Sequence, residues 1–328
     1  MKKILKKFIP RQIKIIMRCI LAACKLLKEY VYWYRNDLSQ SSLIKNKRSV
    51  LAYLMIMSHV LEKGITMPER RLGFGYDRVR QIIESCTNAI QEYTENHVEI
   101  QSTLNDLEQY LFMHQKENFE LPNDISNGIT CLLKYKHYDT TVYFETTRDQ
   151  YFSPTTNFRE FANQRHSVRW YSDEKIEYDS LMNAIKLAQT APSACNRQST
   201  KVYVIESDEK KQHVLNIQNG NRGFGHRADK ILLITSDMKS WGCKDRTSAY
   251  LDAGIFTQNL LYALHYEKIC ACTLNAHLTI KKRKSLRNIV GYTESEMPIV
   301  FIAIGKAPER FMVAGSQRLK TEDILQFV

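Results

Sequence analysis

Three strand-length apolar runs constrain the fold of this chain more than any other feature. They are KVYVIE at residues 201–206, KILLIT at 230–235 and PIVFIAIG at 298–305, and all are rich in β-branched residues. Their apolar residues are nearly continuous rather than alternating, which is typical of strands that are covered on both faces. The C-terminal half is therefore predicted to contain a sheet with helices on both sides.

Two helices are predicted beside these strands, at residues 179–190 and 249–266. The first places Leu181, Ile185 and Ala188 on one side. The second is apolar nearly all round, which indicates a helix buried in the domain centre or in a dimer interface. Its Ala253 and Gly254 would permit close approach of a neighbouring helix.

At 328 residues the chain exceeds the usual size of one domain, so we expect two units. Residues 41–150 are predicted to be mostly helical, with helical spacing over 49–61 and 77–114 and a structured turn between them. The polar, β-branched tract at 123–147 predicts a loop with a short strand. The expected organisation is an N-terminal helix at 1–40, a helical region at 41–150 and the sheet domain at 151–328.

His59 and Glu62 are three residues apart and could share one helix face, but further ligands nearby are lacking and no metal site is predicted. The favoured interpretation makes Glu62 and Lys63 surface charges at a helix end, with Gly64 as the C-cap. The eight cysteines form neither CxxC pairs nor zinc-type clusters, so we interpret them as reduced thiols in a cytosolic protein.

Positive charge is concentrated at the N-terminus. Residues 1–50 hold 13 Lys or Arg against two acidic residues, Glu29 and Asp37, which gives +11. The whole chain carries +12, so +1 is left for the other 278 residues. A nucleic-acid enzyme spreads positive charge over its binding face, and this distribution argues against nucleic acid as a partner.

Residues 11–30 have an amphipathic pattern at helical spacing. Arg11, Lys14, Arg18, Lys25 and Lys28 fall in one narrow stripe opposite a broad apolar face. This pattern predicts a helix in the interface of an anionic membrane, with the aromatic residues at 30, 32, 33 and 34 at headgroup level. The alternative is a helix packed on the protein's own core. The charges that interrupt the apolar run disfavour both a transmembrane span and a cleaved signal peptide.

Three polar clusters lie at the ends of the predicted elements: RHSVR at 165–169, PSACNRQ at 192–198 and AGSQR at 314–318. Two arginines four residues apart with a serine between them suit a phosphate group. Asn196 and Gln198 offer the donors and acceptors that a planar heterocycle needs. The sequence has neither a GxGxxG motif after a strand nor a Walker A loop.

The order of these motifs resembles the nitroreductase family, which opens with R-x-S-x-R/K followed by a P-S-x-x-N-x-Q loop. The DAG at 252–254, the segment 269–275 and a late Arg318 are similar to further landmarks of that family. The resemblance covers residues 155–328. It implies an α+β, nitroreductase-like three-layer fold, with a central sheet covered by helices and preceded by a helical N-terminal region. The segments 59–75 and 219–225 also resemble nitroreductase-like proteins of bacterial polysaccharide gene clusters.

Carried over residue by residue, the resemblance implies a bound FMN. Arg165, Ser167 and Arg318 would contact its phosphate and ribityl chain, and Arg169 the N1/O2 edge of its ring. The other implied FMN contacts are His166, Pro192, Ser193, Ala194, Asn196, Gln198, Thr273 and Leu274. The family's flavin lies in the interface of an intertwined homodimer, so residues 192–194 would serve the partner's flavin. Ser199 and Thr273 stand where prolines are common in the family, and this departure would reshape the substrate side.

The resemblance implies hydride transfer from NAD(P)H through FMN to an unidentified substrate. Because the flavin supplies the reactivity, no catalytic side chain is assigned. Arg169 would stabilise the anionic reduced flavin. The alternative function, from another class, is a weak or inactive protein of the same fold that acts as a partner in membrane-associated glycan assembly. Either function is expected on the cytoplasmic side of the cell membrane.

Overall fold

The computed structural model describes residues 10–35, 47–155, 157–241 and 246–328. Helix α1 (Arg11–Arg35) contains the predicted amphipathic segment, while the other parts of residues 1–46 lie outside the described ranges. Eight apolar side chains between Ile13 and Leu27 each expose at least 44% of their surface. None of them joins an apolar core of the described residues. None of the described helices is long and apolar enough to cross a membrane.

Four helices form the next unit: α2 (Lys47–Ile65), α3 (Tyr76–Tyr93), α4 (Val98–Lys116) and α5 (Asn123–Leu133). They enclose one apolar core to which every one of them contributes. In α3, for example, the residues that recur every three or four positions are the buried ones. The helical pattern predicted at 77–114 is divided by a break at 94–97, where Thr94 has a φ of 115°.

The tract at 123–147 was predicted as a loop with a short strand, and only the strand is confirmed. Strand β1 is Tyr143–Thr147, but α5 occupies the start of the tract. Ile125, Ile129 and Leu132 recur at helical spacing and are buried in the helical core. The apolar pattern was not recognised in the sequence because polar residues stand between these three. Those polar residues lie mainly on the side of α5 that is partly or fully exposed.

The main sheet has four strands in the order β2-β3-β5-β4, and every neighbouring pair is antiparallel. The three predicted runs are confirmed as β2 (Thr200–Ile205), β3 (Lys230–Asp237) and β5 (Glu296–Gly305). The fourth strand, β4 (Cys270–Asn275), was not predicted as a strand.

Helices cover both faces of this sheet, so the predicted three-layer α+β arrangement is confirmed. One face carries Leu232 and Ile234 and packs against α8 (Tyr178–Ala188) and α10 (Arg246–Tyr266). The other face carries Ile231 and Leu233 and packs against α9 (Asp208–Ile217) and α11 (Ile280–Val290). Each such aliphatic side chain contributes roughly 1.5–3 kcal/mol when it is fully buried. The successive residues of β3 serve opposite faces, which explains its continuous apolar sequence.

Helix α10 is not buried all round in this single chain. Ala253, Leu260 and Leu264 pack on the sheet, whereas Leu251 is 63% exposed and Ile255 is also exposed. A side chain at Gly254 would meet no atom within 4 Å. One face of the helix is therefore exposed in this single chain, and the dimer-interface environment stays a prediction.

A two-stranded ribbon brings the end of the chain back to the helical unit. Strand β1 pairs antiparallel with β6 (Arg310–Ala314), and the amide of Gly315 donates to the carbonyl of Val142 at 2.9 Å. A Cβ at Gly315 would lie 1.8 Å from the carbonyl oxygen of Thr141, so this close approach requires glycine. The remaining short helices are α6 (Arg148–Tyr151), α7 (Phe158–Gln164) and α12 (Thr321–Ile324).

The end of α2 packs against the sheet domain, which corrects the interpretation of Glu62 and Lys63 as surface charges. The Glu62 side chain is 7% exposed and accepts a hydrogen bond from the Ser316 amide at 2.6 Å. Lys63 donates to the carbonyl of Gly220 at 2.6 Å. Gly64 lies inside α2, where an added Cβ would lie 2.2 Å from the ring of Phe74, so its role is close packing rather than capping.

Candidate functional site

Residues 165–169, the arginine segment, run in an extended conformation after α7 and alongside β4. The amide of Val168 donates to the carbonyl of Ala271 at 3.0 Å, which fixes the segment against that edge of the sheet. The hydroxyl of Tyr171 donates to the carbonyls of Val168 and Ala303, at 2.9 and 3.0 Å. The backbone that carries the predicted phosphate ligands is thus fixed from both sides.

His166 lies at the centre of the first group of predicted ligands. Its Nδ1 is 2.8 Å from the carbonyl of Gln164, and because a carbonyl only accepts, Nδ1 carries the proton. Burial lowers the pKa of His166, and the charges of Arg165 and Arg318 lower it further. The ring is therefore neutral at pH 7, with two guanidinium groups near enough to influence it. Such a group suits a phosphate.

Arg169 forms a second cationic position. It is only 8% exposed, and its Nε has no hydrogen-bond partner among the described residues. Its Nη1 lies 3.5 Å from the carbonyl of Ser167, a long contact. Its guanidinium carbon lies 5.9 Å from the centre of the Phe224 ring. Buried charges in proteins are normally paired, so this arginine could bind an anionic partner.

The other two implied ligands near this edge, Thr273 and Leu274, lie on β4. Thr273 is exposed, whereas the side chain of Leu274 belongs to the apolar core. Of this pair, only Thr273 presents its side chain to the surface.

Residues 192–198, the amide loop, connect α8 to β2 and are mostly exposed. The amide of Ala194 donates to the Asp252 carboxylate at 2.9 Å, and the Gln198 amide donates to the Ser193 hydroxyl at 3.1 Å. The side-chain amide of Gln198 donates to that of Asn196 at 2.9 Å. Asn196 has a φ of 53°, a left-handed conformation that asparagine tolerates. The loop thus presents its amide groups to the surface on a locally fixed backbone.

Ser199, one of the two departures from the family's prolines, lies directly behind this loop. It is 5% exposed, and its hydroxyl lies 2.9 Å from that of Ser236. The indole nitrogen of Trp241 donates to the same hydroxyl at 3.0 Å. The serine therefore supplies a buried hydrogen-bonding group where a proline would supply none.

The arginine segment and the amide loop lie at diagonally opposite corners of the sheet. The loop leads into Thr200 of β2, which pairs with Ser236 near the end of β3. At the other edge, Ala271 beside the arginine segment pairs with Ile304, which pairs with Lys230 at the start of β3. The two edges are three strand spacings apart, roughly 14 Å. A single chain therefore brings Arg165, His166 and Arg318 together but leaves the amide loop apart from them.

Two residues of the site were not predicted from the sequence. Lys63 lies near Arg169, and its ammonium is 5.1 Å from the centre of the Phe224 ring. Glu62 holds the Ser316 amide close to Arg318. Both belong to the helical unit, about a hundred residues before the arginine segment. The sequence signal for them was the resemblance of the segments 59–75 and 219–225 to nitroreductase-like proteins, and these two segments here contact one another.

Residues 162–218 match the model of the Nitroreductase family, and this stretch includes both the arginine segment and the amide loop. A provisionally named NAD(P)H nitroreductase of Streptococcus pyogenes is 29% identical over 80 residues. That match covers 24% of this chain and 40% of the relative's length.

Solved structures of similar proteins include an FMN-dependent nitroreductase from Clostridium difficile, with 19% identity and a TM-score of 0.41. The similarity covers 50% of this chain and 92% of that protein. Another is a provisionally named nitroreductase from Desulfovibrio desulfuricans in complex with FMN, with 20% identity and a TM-score of 0.46. It covers 53% of this chain and 98% of that protein.

Proposed function

We propose that this chain is a member of the nitroreductase family through its C-terminal region and an FMN-dependent oxidoreductase that uses NAD(P)H. The observation that carries the proposal is that the charges of Arg165 and Arg318 both act on a neutral His166, on the same segment as a buried Arg169 whose Nε has no hydrogen-bond partner among the described residues. The arginine segment lies inside the family match.

The residues present fit FMN in both of its polar parts. Arg165 and Arg318 would hold the phosphate, since guanidinium groups bind phosphate through paired, charge-assisted hydrogen bonds. His166 adds an uncharged Nε2 that can accept a proton or a hydrogen bond. Arg169 would face the polar edge of the ring and supply the positive charge that a reduced flavin needs.

Bound FMN would accept a hydride equivalent from NAD(P)H and release it to an oxidised substrate. The chain's own residues would bind and orient the flavin and balance its charge. The buried position of Arg169 would strengthen its effect, because charge interactions are stronger where water is excluded.

We propose a homodimer in which the amide loop of one subunit serves the flavin of its partner. The separation of the arginine segment from the amide loop supports this arrangement, since one subunit does not bring them together. The exposed apolar face of α10, with Leu251 and Ile255, offers an interface next to Asp252, which holds the loop.

The absorption spectrum of the purified full-length protein tests the cofactor, because bound oxidised flavin is yellow. The Arg165→Ala and Arg318→Ala variants should each lose a contact worth about 1.5–3 kcal/mol and so retain FMN roughly tenfold less tightly or worse. The exposed Arg310, changed to alanine, is the matched control. Full flavin occupancy in both variants would refute the phosphate assignment.

A colourless wild-type protein would favour the second function, a catalytically weak or inactive partner in glycan assembly at the membrane. What supports that function is helix α1, which combines exposed apolar residues with the basic charge of the N-terminus. Such a helix suits an anionic membrane surface, where apolar burial and charge attraction act together. The same helix would place the enzyme of the first proposal at a membrane, with a role in surface-polysaccharide synthesis and a substrate that is still to be identified.

A further inference from the structure

Two cations from different parts of the chain flank the same buried aromatic ring. The ammonium of Lys63 lies 5.1 Å from the centre of the Phe224 ring, and the guanidinium carbon of Arg169 lies 5.9 Å from it. Lys63 comes from the end of α2, and Arg169 from the arginine segment beside β4. Phe224 is fully buried, so the two charges meet where the helical unit contacts the sheet domain.

Among the described residues, neither cation has a carboxylate partner. Lys63 donates to the carbonyl of Gly220, and Arg169 makes a long contact to the carbonyl of Ser167 and a side-chain contact to the thiol of Cys272. The adjacent carboxylate of Glu62 is engaged by the Ser316 amide and His59.

The third polar group at this position, the thiol of Cys272, does not neutralise the pair. Burial raises the pKa of this thiol, which keeps it protonated at pH 7. Burial also lowers the pKa of Lys63, and the positive charge of Arg169 lowers it further, so the two cations disfavour one another. Like charges that are held together in a partly buried position are destabilised, and a nearby anion would stabilise them.

We propose that Lys63 and Arg169 form one binding site for an anionic group of a ligand, so that the helical unit contributes a residue to the flavin site. The proposal rests on the proposed function for the identity of this ligand. FMN can supply the anion in two ways, as its phosphate or as the ring edge that becomes negative on reduction. The shared chemistry is a single anionic group placed between two fixed cations.

A purely structural role for Lys63 makes a different prediction. If Lys63 only linked α2 to the loop at Gly220, its replacement would lower the stability of the fold. It would not change how strongly the site prefers an anionic ligand to a neutral one. The test therefore needs a readout that stability alone does not move.

The full-length wild-type protein is compared with two variants. Lys63→Met removes the charge and nearly keeps the length of the side chain, and Lys63→Arg keeps the charge. The exposed Lys186, changed to methionine, is the control. Affinities for oxidised FMN and for riboflavin are measured by flavin fluorescence, and the potential of bound FMN by redox titration. If the anion is the reduced ring, Lys63→Met should lose about tenfold in its preference for reduced over oxidised FMN. For a two-electron couple this lowers the potential by about 30 mV.

If the anion is the phosphate, Lys63→Met should instead bind FMN about tenfold more weakly than wild type does. Its affinity for riboflavin, which has no phosphate, should equal that of wild type. In both cases Lys63→Arg should keep most of the wild-type affinity and potential, and Lys186→Met should change neither. Equal affinities and potentials in Lys63→Met and wild type would overturn the site while leaving the proposed function intact. If the wild type binds no flavin, the proposed function fails, and inorganic phosphate becomes the probe. Weaker phosphate binding by Lys63→Met would then support the site, and equal binding would overturn it.

Discussion

Acidification should destabilise this protein through His265, which lies next to the candidate site near the end of α10. The residue is 5% exposed, and its ring centre is 5.1 Å from that of Tyr151 and 5.2 Å from that of Phe161. Its Nδ1 has no hydrogen-bond partner within the described ranges. Burial lowers the pKa of His265 from 6.5 to about 4, and the positive charge of Arg165, together with that of His166 when it is protonated, adds to this effect.

The direction of this pH effect depends on whether the folded or the unfolded state binds the proton more readily. Because the folded state holds the pKa of His265 below its unfolded value of 6.5, the unfolded state takes up the proton first as the pH falls. The stabilising contribution is therefore present above about pH 6.5 and is lost as the pH falls toward about 4. The fully developed loss is roughly 3 kcal/mol, and about 2 kcal/mol of it should have appeared at pH 5.

The measurement is urea unfolding of the full-length protein at pH 7 and pH 5, with the free energy of unfolding extrapolated to water. The variant His265→Phe keeps an aromatic ring in the cluster but cannot take up a proton. It should lose about 2 kcal/mol less stability than wild type between these two pH values. The exposed His213, changed to phenylalanine, is the control and should behave as wild type. An unchanged pH dependence in His265→Phe would show that this reasoning about the buried imidazole is wrong.

Four further predictions concern the ribbon, the dimer and α1. Gly315→Ala should destabilise the fold by about 1–3 kcal/mol in thermal unfolding, because its Cβ would overlap the carbonyl of Thr141; an unchanged midpoint would contradict this. Light scattering at micromolar concentration should show a dimer that Leu251→Arg converts to a monomer, whereas a monomeric wild type would count against the shared site. Full-length protein should bind anionic but not neutral vesicles in a salt-sensitive manner, and the double variant Arg18→Glu, Lys25→Glu should not bind. Deleting residues 1–35 should leave the flavin spectrum intact, and loss of flavin would show that α1 is part of the folded body.

The layers of the sheet domain could be predicted because each depends on a local and uninterrupted pattern. The apolar runs of β3 and β5 leave no solvent-facing side, and this predicts helices on both faces of the sheet. Strand β4 escaped prediction because its sequence, CACTLN, mixes small, polar and apolar residues. Its place in the sheet depends on pairing with β5 from Cys270 to Asn275, a long-range contact that composition does not reveal.

The arginine segment and the amide loop could be located because family motifs are local in sequence. Their separation in the single chain was implied only by the family resemblance, because its physical basis, the strand order β2-β3-β5-β4, does not follow from local patterns. The environment of Glu62 was mispredicted for a related reason. A charged residue near a helix end is usually solvated. Glu62 is buried because the pairing of β1 with β6 brings Ser316, which follows β6, into contact with its carboxylate.

The contacts of α2 bear on how the helical unit and the sheet domain work together. The indole of Trp170, next to Arg169, donates to the carbonyl of Thr66 at 2.8 Å, while Glu62 anchors the Ser316 amide two residues before Arg318. Both cationic positions of the site therefore adjoin backbone that α2 holds in place. Strand β1 adds a further link, because it lies before residue 150 and pairs with β6. The predicted boundary at 150–151 thus divides the sequence, but the contacts that shape the site cross it. We therefore expect the helical unit to take part in the proposed binding site rather than to be an independent attachment to it.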